Sequence, residues 1–189
     1  MTSSVKSASI SRPTFALKFD EDQLGHWASR YPVADDYAVE HVIGPRVREN
    51  SFLAKDDFCA ITHWKSPRSQ KQCEANSEEY IHAVTRAALT TLSEEFRVRS
   101  LTCLRGVDWP TASAILHLTH TDPYPIMDWR AMWSLSVYDE YMASSFSPST
   151  FEVWWWPYTI YSRNLAEKNG LSMRTVDRAL WQYCKENGS

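Results

Sequence analysis

The chain has 189 residues, of which 43% are hydrophobic, enough for one domain with a sizeable core and too few for two comfortable ones. Its net charge of -3 gives no global pull toward nucleic acid, so any DNA contact has to come from a local basic face. Only five glycines argue against a turn-rich β architecture, while nine tryptophans demand either a bulky core or a wall on which flat rings stack.

In chain order, residues 1–14 are serine-rich and sparsely apolar and are expected to fray. Helical spacing of Leu24 and Trp27 predicts a helix over 22–31, stopped by Pro32. A second, over 35–42, is punctuated by Gly44-Pro45. Phe58, Ile61 and Trp64 mark a helix over 56–64 that ends before Ser66-Pro67. Asn76, with Glu79 three residues on, reads as the capping box of a helix burying Tyr80, Ile81, Val84, Ala87 and Ala88. Ser93 caps a short helix through Phe96, and another covers 99–104.

Asp108 then sits where an N-cap belongs, and Pro110 is tolerated in a first turn because its missing N–H had no partner there. That helix runs from Trp109 to about His120 and buries Ala112, Ile115 and Leu116. Further helices cover about 129–138 and 149–169, the latter ended by Gly170, and a last one follows Ser172. No strand pattern has convincing length, so the fold class is all-α, a compact helical bundle.

Cys59, Cys73, Cys103 and Cys184 lie too far apart for a zinc or iron–sulfur set and read as reduced thiols. No apolar run reaches membrane-span length and the N-terminus lacks a signal-peptide core, so a soluble, cytoplasmic protein is expected. Basic residues gather at Lys65, Arg68 and Lys71 and again at Arg97, Arg99 and Arg105. The segment Trp64-Lys65-Ser66-Pro67-Arg68 offers an aromatic wall and phosphate contacts from Lys65 and Arg68, or equally an ordinary solvated loop. His117 and His120 lack further ligands and read as helix-end or surface residues rather than a metal site.

The stretch Leu104-Arg105-Gly106-Val107-Asp108-Trp109-Pro110-Thr111-Ala112-Ser113-Ala114-Ile115-Leu116, followed by Tyr124-Pro125-Ile126-Met127-Asp128, is the most informative segment. It forms a glycine-centred hairpin over about 99–120, an apolar helix, and a proline-containing loop that delivers one carboxylate to the next helix. This pattern resembles the helix-hairpin-helix plus Gly/Pro-Asp signature of the endonuclease III-like DNA glycosylases. Asp108 replaces the second glycine of that signature and sets a negative charge beside the proposed phosphate.

The resemblance implies a single glycosylase-like domain over 15–189 that acts on double-stranded DNA carrying a damaged or modified base, in repair or in defence against modified DNA. Asp128 would be catalytic, an ionised carboxylate stabilising the oxocarbenium-like sugar. Backbone and side chains of Leu104, Arg105, Gly106, Val107, Asp108 and Thr111 would hold DNA, with a monovalent cation at the hairpin permitted. Bifunctional members carry a lysine where this chain has Pro110, which implies a monofunctional enzyme without lyase activity. Lys65 is the nearest other lysine, and the resemblance gives it no role. The iron–sulfur cysteines of some relatives are missing, and no cofactor is expected.

A flipped base needs aromatic walls, for which Trp64, Trp109, Trp129, Trp155 and Tyr158 are the candidates, although most aromatics should be core. A monomer is expected. Two other readings stay open at this point: a helix-hairpin-helix DNA-binding module without catalysis, and an α-helical protein-interaction domain.

Overall fold

The computed structural model describes residues 12–144 and 149–188, so the expectation for 1–11 lies outside the described residues. The described residues form helices and connecting turns, with no strand among them. The principal helices are α1 (Leu24–Ser29), α2 (Gly44–Asn50), α3 (Lys55–Lys65), α4 (Gln70–Glu74), α5 (Glu78–Thr90) and α6 (Glu94–Leu101). They are followed by α7 (Trp109–Thr119), α8 (Trp129–Ser134), α9 (Tyr138–Ala143), α10 (Trp156–Lys168) and α11 (Met173–Asn187).

Two sets of helices share one continuous core. Around α7 pack α2, α3 and α6, with α5 against α3 and α6; around α11 pack α1, α8 and α10, with α9 against α8. Leu24, Phe58, Ile61, Ile81, Leu101, Ala112, Ile115 and Leu116 are completely buried, which matches the helical spacing of the apolar residues. Residues 15–19 run along the second set. The Ala16 and Lys18 N–H groups donate to Leu135 and Ser134 carbonyls at 3.0 and 2.9 Å, and Phe15 and Phe19 pack onto the core.

Several boundaries differ from expectation for identifiable reasons. Gly44-Pro45 does not break the chain. A widened turn over Ala38–Ile43 lets the Gly44 N–H reach the Val39 carbonyl, and Pro45 occupies the first turn of α2, where its missing N–H costs nothing. Gly44 serves close approach instead, since a Cβ there would lie 2.5 Å from the Leu118 carbonyl oxygen of α7. Backbone faces that position, so Gly44→Ala should cost about 1–3 kcal/mol, read as a lower denaturant midpoint at unchanged slope.

The helices foreseen around Ser93–Phe96 and 99–104 are one helix, α6, capped by Ser93 on the Phe96 N–H at 3.3 Å. The helix foreseen over 129–138 stops after Ser134, where Ser136 takes a left-handed conformation (φ 62°) and redirects the chain into α9. The polar stretch through Lys71, read as a loop, instead winds into a short turn over Pro67–Ser69 and then α4. Tyr80, expected in the core, is 43% exposed.

Candidate active site

The hairpin joins α6 to α7 through residues 102–108. Gly106 takes φ +80°, a conformation that L side chains rarely adopt, and its α-carbon abuts Cys73 at the end of α4. Leu104 and Val107 are buried and anchor the turn, whereas Arg105 and Asp108 face outward. Asp108 caps α7 as its position predicted, accepting from the Thr111 N–H at 2.9 Å.

Asn76 has a different role from the one expected. Ser77 caps α5 by accepting from the Tyr80 N–H. That leaves the buried Asn76 amide to pair with the hairpin, accepting from the Arg105 N–H at 2.9 Å and donating to the Arg105 carbonyl at 3.0 Å. The Leu104 and Val107 N–H groups likewise bond within the protein, to Leu101 and Leu104 carbonyls. The sequence reading therefore needs correcting at Leu104 and Val107. Their side chains belong to the core and their N–H groups are occupied, so the outward surface of the turn is that of Arg105, Gly106 and Asp108. Thr111 is 1% exposed and contributes only at the cleft wall.

Downstream of α7, the loop carrying Pro125 is fixed from two sides. The His117 ring donates from Nδ1 to the Tyr124 carbonyl (2.6 Å), and the Met127 N–H donates to Ser113 Oγ (2.8 Å). From α10, the Tyr158 hydroxyl donates to the Ile126 carbonyl at 3.1 Å. Tyr124, Pro125, Ile126 and Met127 are all buried, so the next residue is delivered to one place.

That residue is Asp128, the N-cap of α8. Its Oδ1 accepts from the Arg130 N–H at 2.9 Å. Its Oδ2 is in contact with Nζ of Lys65, the last residue of α3, and the two side chains are 16% and 11% exposed. Burial alone would raise the Asp128 carboxyl. The Lys65 ammonium and its hydrogen bond, the Arg130 N–H and the Arg130 charge outweigh it and hold the group below its ordinary range, so it is ionised at neutral pH.

The pair opens into a cleft of about 680 Å³ between the two helix sets. One wall is Lys65, Ser66, Pro67 and Arg68; a second is Asp108, Pro110 and Thr111 at the start of α7; the third is Met127, Trp129 and Arg130 with Tyr138, Tyr141 and Met142 of α9. Trp129 is 41% exposed, its ring edge-on to Tyr138 at 5.9 Å and covered by the Arg130 guanidinium at 4.3 Å. Burial, Asp128 and Asp108 together push the Tyr141 phenol up, so it stays a neutral hydroxyl at physiological pH.

Of the aromatic candidates, the cleft contains Trp129 alone among the described residues that line it. Trp155 is fully buried and stacked on Tyr124 (5.9 Å, 12°), Tyr158 is fully buried beneath the loop it holds, and Trp109 is 7% exposed. These three are core, because large rings gain most where they are wholly withdrawn from water. Trp64 donates its indole N–H to Asp36 at 3.0 Å and lies under Arg174, outside the cleft. The Lys65–Asp128 contact was not foreseen, and neither were the α9 wall, Arg130, or the supports Ser113 and Asn76.

His117 and His120 are structural rather than surface groups. The His120 side chain is 8% exposed and faces the Arg97 guanidinium and the Asp122 N–H. Among the described residues no group of three or more His, Cys, Asp or Glu side chains is placed to hold a metal ion. No helix among them is long and apolar enough to cross a membrane.

The chain matches no family model and no curated protein. Its fold is similar to two solved structures from Methanocaldococcus jannaschii. One is an 8-oxoguanine glycosylase/lyase in complex with 15mer DNA containing 8-oxoguanine (13% identity over 90% of this chain and 84% of that one, TM-score 0.41). The other is an 8-oxoguanine DNA glycosylase (14% identity, 91% and 81% covered, TM-score 0.42). At that level of agreement neither assigns a substrate or a residue role to this chain.

Proposed function

We propose that the protein is a DNA glycosylase acting on a damaged or modified base extruded from duplex DNA. The observation that carries this reading is Asp128, an ionised carboxylate on the wall of a base-sized cleft whose adjoining wall is the start of α7, next to the hairpin. Loss of a base leaves positive charge on the sugar ring, and a fixed carboxylate lowers the energy of that state far more than of the ground state. Trp129 and Tyr138 offer ring faces for the extruded base, while the Tyr141 hydroxyl and the Arg130 guanidinium offer polar contacts for its edges. Exposed Arg105 at the Gly106 turn and Arg68 on the cleft wall would supply contacts to flanking phosphates, while the Asp108 carboxylate already caps the start of α7.

A second reading, a duplex-binding module without catalysis, is favoured by one observation: Lys65 already occupies the second oxygen of Asp128. Incubation with duplexes carrying a panel of damaged and hypermodified bases, with free base detected by mass spectrometry, separates the two readings. Released base from at least one duplex is the expected result, together with duplex binding that weakens as salt rises, because each phosphate contact releases counterions. Binding without release across the panel favours the module. Binding absent or indifferent to salt removes both and leaves a helical protein-interaction domain.

A further inference from the structure

Many basic side chains of this protein are neutralised where they stand: Arg30 by Glu186, Arg46 by Asp57, Arg99 by Glu95, Lys168 by Glu21 and Arg174 by Asp36. Three cations at and beside the cleft are held differently. The Arg130 guanidinium, on the cleft wall, rests on two indoles, 4.3 Å from the Trp129 ring and 4.9 Å from that of Trp181 on α11. Lys185, one turn farther along α11, sets its ammonium 5.0 Å from the same Trp181 ring. Lys18 places Nζ 3.6 Å over Trp133, which follows Trp129 by one turn of α8. The Lys18 backbone is fixed on both sides, its N–H donating to the Ser134 carbonyl at 2.9 Å and its carbonyl accepting from the Tyr183 hydroxyl at 3.0 Å.

An indole restrains a cation without neutralising it, because the ring attracts the charge through its quadrupole and carries no opposite charge of its own. None of the three side chains forms an ion pair with a carboxylate of the described residues. Glu186, adjacent to Lys185, is taken by Arg30 at 2.8 Å, and Asp128, near Arg130, is already bonded to Lys65. Lys18 and Lys185 are exposed, while Trp133 and Trp181 beneath them are half-buried. One cation on one ring is ordinary shielding of an exposed indole. Three of them, continuing a cleft wall outward over α8 and α11 on a chain of net charge -3, concentrate positive potential in one strip.

Resting on the glycosylase reading, we propose that Arg130, Lys18 and Lys185 form a second phosphate-contact surface, apart from the hairpin, that holds the backbone of one duplex arm as it leaves the cleft. Arg105 at the hairpin takes the DNA from the α7 side, and the strip takes it from the α8 and α11 side. The occupant is a polyanion, since the strip offers a row of hydrogen-bond donors on a fixed aromatic floor. A lysine ammonium is a point charge with freely turning donors, so the contact positions the duplex and reads no base.

The test needs no knowledge of the excised base. The full chain is titrated with fluorescent duplexes carrying a central tetrahydrofuran abasic analogue, and affinity is followed over a salt series. Lys18→Gln and Lys185→Gln should each flatten the slope of log affinity against log salt by about 1, the worth of one phosphate contact. Lys168→Gln, an equal loss of charge at a cation already paired with Glu21, should leave the slope unchanged. Arginine at either position 18 or 185 keeps the charge and should restore the slope, which separates charge from any loss of folding. The strip lies to one side of the cleft, so shortening one duplex arm should abolish the effect of both lysine changes and shortening the other should preserve it. Unchanged slopes in both glutamine variants, or slopes flattened alike whichever arm is shortened, overturn the strip and leave the glycosylase reading standing. Lysine-dependent capture by phosphatidylserine vesicles with an unchanged DNA slope likewise overturns it and assigns the face to a membrane surface. No binding to any duplex overturns both readings.

Discussion

Asp128→Asn should lower base release by about 100- to 10,000-fold while the protein still binds duplex DNA. Asparagine has the shape of aspartate and keeps an oxygen for the Arg130 N–H, so the cap on α8 survives. What disappears is the negative charge at the wall of the cleft, which is the feature the reaction needs. The substitution has a second effect that must be separated from the first. Lys65 loses its carboxylate partner while its side chain stays only 11% exposed. Removing one member of a fully buried pair costs about 3–5 kcal/mol, and the residual exposure here makes the cost smaller. Pairing the change with Lys65→Met removes the stranded charge at similar volume. The double variant is expected to regain most of the lost stability and none of the base release. Wild-type base release by Asp128→Asn would overturn the assignment of the carboxylate.

The division between what the sequence showed and what it hid follows the range of the interactions. Caps are local events, decided within three residues, and Ser93, Asp108, Asp128 and Ser172 were each readable or nearly so from their neighbours. The position of Asp128 after a proline loop is equally local. The Lys65–Asp128 pair joins residues 63 apart and Asn76–Arg105 joins residues 29 apart, and no periodicity announces either. Asn76 shows how a local signal can mislead. Asn-Ser offers two adjacent caps, and only tertiary packing decides that the serine caps the helix while the longer amide crosses to the hairpin.

The aromatic wall failed for a different reason. Trp109, Trp155 and Tyr158 were plausible because rings stack on bases, but the same rings stabilise a core most when fully withdrawn from water. Tyr158 still contributes to the site, through the Ile126 carbonyl rather than through a base. Trp129 reaches the cleft because it is the residue next to the cap, where α8 has barely begun and its side chain has little core to enter.

Gly106→Ala should weaken duplex binding and destabilise the fold together, because the hairpin has no freedom to yield. A left-handed backbone at a non-glycine residue costs about 1–2 kcal/mol. The added Cβ would also meet Cys73 Sγ at 2.7 Å, the Cys73 backbone nitrogen at 3.0 Å and Gln72 Cβ at 3.0 Å, an overpacking worth about 1–3 kcal/mol. Retreat from α4 is opposed by Asn76, which grips Arg105 by both its N–H and its carbonyl. The total loss is expected at roughly 2–5 kcal/mol in chemical denaturation. Adding Cys73→Ala removes the sulfur contact but leaves the backbone contact and the left-handed φ, so it should restore only part of that loss. Full restoration would mean that the backbone conformation carries no cost. Affinity is measured where both proteins remain folded, so that a fall reports the shape of the turn rather than the unfolded fraction. Unchanged affinity in the folded variant would show that DNA is held elsewhere and that the hairpin is only a corner between helices.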